Sequence, residues 1–128
     1  MGSDHITRIG VGPLEFALEY RRFAREQGWT IHVYGPRQGR REEILRFDCF
    51  DVNPHFHLGW SYLDRMFVPI PDTDDPLAWA LDEMRAHLPQ MLLESDAPEL
   101  AALLDMTAVN AALDELRRQA KAQDKSAA

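Results

Sequence analysis

The chain changes its hydrophobic rhythm part-way along. Through residues 6–70 apolar and polar positions mostly alternate, whereas over residues 75–120 the apolar positions recur every three or four. Leu14, Phe16, Leu18 and Tyr20 alternate with Glu15, Ala17, Glu19 and Arg21, the period of two of a half-buried strand. The same stretch carries helix punctuation, with Pro13 at a start, Arg21, Arg22 and Arg25 late and Gly28 at a C-cap position. Strand and helix therefore compete over residues 13–26. Trp29-Thr30-Ile31-His32-Val33-Tyr34 is β-branched and aromatic and stops at Gly35-Pro36, and Ile44 to Phe50 is a second such run. The glycines and proline between them, Gly35 to Arg41, predict a hairpin loop and antiparallel pairing. Asn53-Pro54 marks a turn and Phe56 to Trp60 a short extended piece. Met66 to Ile70 reads as a last strand, which Pro69 confines to a sheet edge.

Beyond Asp72 the pattern is helical. Asp75 suits an N-cap and Pro76 the first helical position, with Leu77, Leu81, Met84 and Leu88 on one stripe. Pro89 should end or kink that helix, because it removes one hydrogen bond. Asp96-Ala97-Pro98-Glu99 offers a second start, followed by Leu100, Leu103 and Leu104, and Thr107 begins a third helix with the stripe Val109, Leu113 and Leu116. The expected fold is α+β, an antiparallel β-meander of three to five strands followed by two or three C-terminal helices. It forms a single domain over residues 1–120, strand-rich over 6–70 and helical over 75–120, and the polar tail 121–128 is expected to fray.

Composition narrows the function classes. At 128 residues, 45% of them apolar, the chain has the size of one domain able to bury roughly two thirds of its unfolded surface. Its apolar runs fall far short of the ~20 residues a bilayer requires, and MGSDHITRIG has no secretory pattern, so a soluble, cytoplasmic protein without membrane contact is expected. The single cysteine, Cys49, closes no internal disulfide and removes every multi-cysteine zinc framework. The formal charge of -7 is unevenly distributed. Arg21 to Arg46 holds seven basic and three acidic residues, and Pro71 to Glu115 eleven acidic and one basic. An acidic surface is repelled by phosphate backbones, which disfavours nucleic acid as a partner.

The reactive side chains concentrate between Arg46 and His57, where strand and loop carry Arg46-Phe47-Asp48-Cys49-Phe50 and then Asn53-Pro54-His55-Phe56-His57. In an extended segment His55 and His57 point to one face, the arrangement with which an H-x-H pair binds a divalent transition metal such as zinc. A usable site needs a third protein ligand, for which His32, Asp48, Asp51 and Cys49 are candidates. Arg46 and Asp48 share the strand face opposite Leu45, Phe47 and Cys49, which assigns Cys49 to the apolar set and leaves Arg46, Asp48 and His32 to form a polar group across strands. Arg46, Asp48, His55 and His57 are accordingly the catalytic candidates, and His55, His57, His32 and Asp48 the metal candidates. The arginines Arg37, Arg40 and Arg41 of the hairpin loop are a further anion-binding possibility, and Trp79 and Trp60-Ser61-Tyr62 are candidate interface anchors. No phosphate-cradling loop, dinucleotide fingerprint, nucleophile elbow or H-E-x-x-H motif occurs.

The order Arg46-Phe47-Asp48, then Asn53-Pro54-His55-Phe56-His57, resembles the signature of small uncharacterised bacterial domains in which an R-F-D strand leads into a P-H-x-H loop. More distantly it is similar to a toxin-like family of toxin-antitoxin modules, a likeness that implies RNA cleavage. Leu58-Gly59-Trp60 stands where those proteins carry further histidines, and the acidic C-terminal half has no counterpart there. The leading expectation is a protein-interaction or accessory-subunit domain, with a protein partner or a second copy of itself as ligand. The alternative is a metal-dependent or acid/base hydrolase, in its extreme form a toxin-like nuclease, centred on the RFDCF and NPHFH stretches.

Overall fold

The computed structural model describes residues 5–61 and 65–123. Six strands come first: β1 (Ile6–Val11), β2 (Leu14–Arg22), β3 (Gln27–Arg37), β4 (Arg40–Phe50), β5 (His55–Leu58) and β6 (Met66–Pro69). Three helices follow, α1 (Pro76–Glu94), α2 (Pro98–Ala102) and α3 (Met106–Gln123). The strands form one sheet in sequence order, every neighbouring pair antiparallel, so the fold is the expected α+β meander. It has six strands rather than three to five. The additional strand is β1, which has no fully buried residue to announce it. None of the described helices is long and apolar enough to cross a membrane.

Within the contested segment 13–26, Leu14–Arg22 is strand and no residue is helical. Phe16 and Leu18 lie opposite Val33 and Ile31 on β3 and opposite Ile9 and Thr7 on β1, and pairing on both sides overrides the local helix punctuation. One face of the sheet, carrying Phe16, Leu18, Ile31, Val33, Leu45, Phe47 and Phe56, joins Leu81, Met84, Leu88, Leu113 and Leu116 of the helices in one core. Trp60, a candidate interface anchor in the sequence, is 1% exposed and belongs to this core. Trp79 is half-buried with its ring 5.8 Å from that of Phe56, and Tyr62 lies outside the described residues.

The helices depart from expectation at three points. Pro89 does not end α1, which runs on to Glu94. An interior proline costs about 3 kcal/mol, but Leu88, Met91 and Leu92 around it are all buried, at about 1.5–3 kcal/mol each. At α2 the cap is Ala97, with no side-chain bond, because Asp96 adopts a φ of 59° and lies outside the helix. The cap for α3 comes from Asp105, whose Oδ1 accepts from the Thr107 and Ala108 amides at 3.0 and 3.3 Å. α3 extends to Gln123, whose side-chain amide donates to Thr7 Oγ1 at 3.3 Å; the rest of the expected tail, 124–128, lies outside the described residues.

Two backbone features set the register on which the site depends. Gln38 and Gly39, with φ of 52° and 78°, make a two-residue turn between β3 and β4, so both strands run deeper into the predicted loop than its composition implies. A bulge then shifts the pairing: Val33 faces Leu45 and Tyr34 faces Glu43, leaving Ile44 as the extra residue. At Gly28 the β4 backbone comes so near that an added Cβ would sit 2.3 Å from the Cys49 carbonyl oxygen and 2.8 Å from Phe50 Cα. Gly28→Ala should therefore destabilise the fold by about 2 kcal/mol or more in chemical denaturation. Gly10→Ala, where a Cβ meets nothing within 4 Å, should stay within about 1 kcal/mol of the parent; equal effects would contradict the close approach.

Candidate metal centre

The sheet face turned away from the helices carries the polar side chains, and its register brings them together. Thr30 lies opposite Asp48 and His32 opposite Arg46 across β3 and β4, while Asp48 lies opposite His55 and Arg46 opposite His57 across β4 and β5. Directly paired residues share a face, so all six project on the same side. Phe67 of β6, opposite His57, completes the row.

Asp48 is at the centre, only 2% exposed. Its Oδ1 accepts from the Thr30 hydroxyl at 3.0 Å and lies 3.6 Å from Arg21 Nη1. Its Oδ2 accepts from Arg46 Nε at 3.2 Å and faces His55 Nε2 at 3.2 Å and His57 Nε2 at 3.7 Å. One hydrogen bond on each imidazole shows where its hydrogen lies. His55 Nδ1 is 2.8 Å from the Asn53 carbonyl, which only accepts, so Nδ1 carries hydrogen and, in the neutral ring, Nε2 turns a lone pair toward Asp48. Asn53 reaches this position with a φ of 51°, a conformation asparagine tolerates. His57 Nε2 accepts from Arg46 Nη2 at 3.2 Å and so also carries a lone pair. Burial, followed by the positive fields of Arg46, Arg65 and His55, outweighs Asp48 and holds His57 below the ordinary imidazole value, hence neutral.

Three ligand atoms on Asp48, His55 and His57 thus lie within 4.8 Å of one another. Zinc ligands at about 2.0–2.2 Å in tetrahedral geometry lie roughly 3.3–3.5 Å apart. The two distances from Asp48 Oδ2, 3.2 and 3.7 Å, bracket that spacing. Phe67 stacks on His55 at 4.4 Å between ring centroids and meets His57 edge-on at 5.6 Å, forming an apolar wall beside both ligands.

The remaining sequence candidates lie elsewhere. His32 is clamped by two carboxylates, Nδ1 to Glu43 Oε2 and Nε2 to Glu19 Oε2, both at 2.5 Å, so Asp48 and not His32 stands beside the H-x-H pair. Cys49 is buried in the core, where burial first and then the Asp48 and Asp75 charges push its thiol far above the ordinary value. It is no nucleophile. Asp51 Oδ1 accepts from the Gln27 amide at 3.0 Å. In the hairpin, Arg41 binds Glu15 at 2.5 Å and covers the Tyr34 ring, and Arg37 covers the Trp60 ring at 5.0 Å, so these two are engaged within the fold.

Sequence reasoning missed Thr30, Arg21, Phe67 and the Asn53 carbonyl around Asp48, and Glu19, Glu43 and Arg65 around His32. Carrying strand parity across both hairpins would have found Thr30. Parity would have failed for Glu43, since only the bulge turns it to the polar face.

The His32 clamp makes stability depend on pH. Burial alone would lower the His32 value, but the hydrogen bonds to Glu43 and Glu19 and their charges outweigh it, and the net shift is upward from 6.5. Burial would likewise raise Glu43, but His32 and Arg65 hold it below its ordinary value. The histidine contribution is complete below its unfolded value and is lost as pH rises through the elevated folded one; the Glu43 contribution is lost only in acid. The stability difference between the parent and His32→Gln should therefore be larger at pH 6 than at pH 9 in urea unfolding. A gap of the same size at both values would contradict the clamp.

Comparison with curated proteins and with solved structures finds no match. Residues 8–120 match the family described as Domain of unknown function (DUF7700), which spans the meander from within β1 and nearly all of the helical half. The chain belongs to that family of uncharacterised domains, and Asp48, His55 and His57 all fall inside the matched span.

Proposed function

We propose that this domain binds a divalent transition metal of zinc type through Asp48 Oδ2, His55 Nε2 and His57 Nε2, and that the centre serves hydrolysis. The observation that carries the reading is the pair of imidazole Nε2 atoms gathered on one carboxylate oxygen, at 3.2 and 3.7 Å. A metal ion at this point would use both Nε2 atoms and the carboxylate oxygen at once, whereas a proton on His55 would serve only the His55–Asp48 pair. Two further features support a built site. Thr30 orients Asp48 and the Asn53 carbonyl orients His55, the outer-shell partners that metal ligands characteristically have. Three protein ligands leave a coordination position open, the pattern of catalytic rather than structural zinc. An ion held there supplies Lewis acidity and lowers the pKa of a coordinated water to about 7. The net charge of -7 weighs against a polynucleotide substrate, and so against the nuclease form of the idea.

A second reading, a protein-interaction or accessory-subunit domain of the cytoplasm, draws on strand β6. It forms one edge of the sheet, and Met66 there is 60% exposed. The acidic helices support it less than the sequence implied, because Arg85 pairs with Asp114 at 2.7 Å, Arg117 with Asp75 at 3.4 Å and Arg118 with Glu115 at 2.5 Å. Light scattering after size exclusion would show a dimer that Met66→Lys dissociates, and a strict monomer would count against the self-association version.

The metal reading is tested on protein made without a histidine tag, loaded with zinc, desalted and analysed for metal. About one ion per chain is expected, and His55→Ala combined with His57→Ala should abolish it. Thr30→Val, which leaves all three ligands in place, should weaken zinc binding by about 10- to 100-fold. Less than about 0.2 ion per chain, unaffected by the double substitution, would remove the metal reading.

A further inference from the structure

Arg46 occupies two of the three atoms a metal would take. Its Nε donates to Asp48 Oδ2 at 3.2 Å and its Nη2 to His57 Nε2 at 3.2 Å. Asp48 Oδ2 has a second lone pair and can keep Arg46 Nε, but His57 Nε2 has only one, so metal entry must release Arg46 Nη2 from the imidazole. Few acceptors then remain for it. Among the described residues Glu43 Oε1 lies 4.0 Å from Arg46 Nη1 and already accepts from Arg65 Nη1 at 2.7 Å, while Glu43 Oε2 is held by His32. Arg21, about as exposed as Arg46 at 31% of its side chain, stands on the other oxygen of Asp48 at 3.6 Å.

The charges then do not balance. The metal's two positive charges and those of Arg21 and Arg46 face the one negative charge of Asp48, because the neighbouring carboxylates Glu43 and Glu19 are matched by Arg65 and His32. Charges within a few ångströms at a half-buried sheet face interact by several kcal/mol, so the loaded site calls for an anion. Two planar forks at a metal favour an oxyanion that accepts paired N–H bonds, and a dianion offsets more of the excess positive charge than a carboxylate does. A third guanidinium, Arg65, anchored on the Gly59 carbonyl at 2.9 Å, has a buried Nη2 with no hydrogen-bond partner among the described residues.

We propose that the loaded site takes a small dianion of phosphate-monoester type, with Arg46 Nη2 moving from His57 onto the incoming group and Arg21 assisting. This rests on the metal reading above and names the substrate class of the same centre. A polynucleotide diester, with one charge per phosphate and an extended acidic backbone, fits this charge count less well than a terminal phosphate.

Reciprocal coupling between metal and anion is the readout. Cobalt(II), which reports coordination through its visible spectrum, is titrated into metal-free protein with and without saturating methylphosphonate, a phosphomonoester mimic that is not hydrolysed. Methylphosphonate should tighten cobalt binding about tenfold or more, and acetate should do so less. Arg46→Gln should bind cobalt at least as tightly as the parent in the absence of the anion, because the competitor is gone, yet the coupling should fall below about threefold. Arg21→Gln should lower the coupling as well, and it carries the test if Arg46→Gln does not fold. Cobalt binding that methylphosphonate leaves unchanged, coupling retained in both arginine variants, or acetate equalling the phosphonate would overturn the proposal while leaving the metal reading intact. Failure of the parent to bind cobalt would overturn both.

Discussion

A carboxylate buried in the middle of a β-sheet constrains everything around it. Asp48 is 2% exposed, and an ion so withdrawn from water costs several kcal/mol unless its oxygens are satisfied. The satisfying groups come from four successive strands: Arg21 on β2, Thr30 on β3, Arg46 on β4 itself and His55 on β5. No two adjacent strands alone assemble them. The meander order of β2 to β5 is therefore as much a requirement of Asp48 as it is of the apolar core on the opposite face.

The same face holds a second charged group, and the two are connected. Glu43 binds His32 and Arg65, and it also lies 4.0 Å from Arg46, which in turn reaches Asp48 and His57. His32 is thus a compensated structural cation between two carboxylates, whereas His55 and His57 both turn Nε2 toward a single one. Histidines on a single sheet face have opposite characters because their neighbours differ in sign and number. The β4 bulge produces this division by turning Glu43, out of parity, toward His32.

Much of this was legible in the sequence, and the remainder was hidden for identifiable reasons. Alternation revealed the β3–β4 hairpin, the shared face of Arg46 and Asp48, the parallel aim of His55 and His57 and the apolar assignment of Cys49, because each depends on period alone. Residues 13–26 stayed ambiguous since local punctuation favoured a helix while pairing with strands on both sides decided for β2. Pro89 misled because a rule about one hydrogen bond was weighed without Leu88, Met91 and Leu92, whose burial exceeds it. Thr30, Arg21 and Phe67 were invisible as site residues because they join Asp48 and the histidines only through register across the sheet. The charge contrast between the two halves drew attention to the helices, yet the chemistry gathers on the basic, strand-rich side. There arginines and acids face each other at short range.

The central claim is that Asp48, His55 and His57 form one metal centre, and crystals of zinc-loaded protein test it most directly. Diffraction data collected on both sides of the zinc absorption edge should place a single strong anomalous peak about 2.0–2.2 Å from Asp48 Oδ2, His55 Nε2 and His57 Nε2, with the Arg46 guanidinium withdrawn from His57. A peak at other residues, or none at this face with Arg46 still bridging Asp48 and His57, would contradict the account.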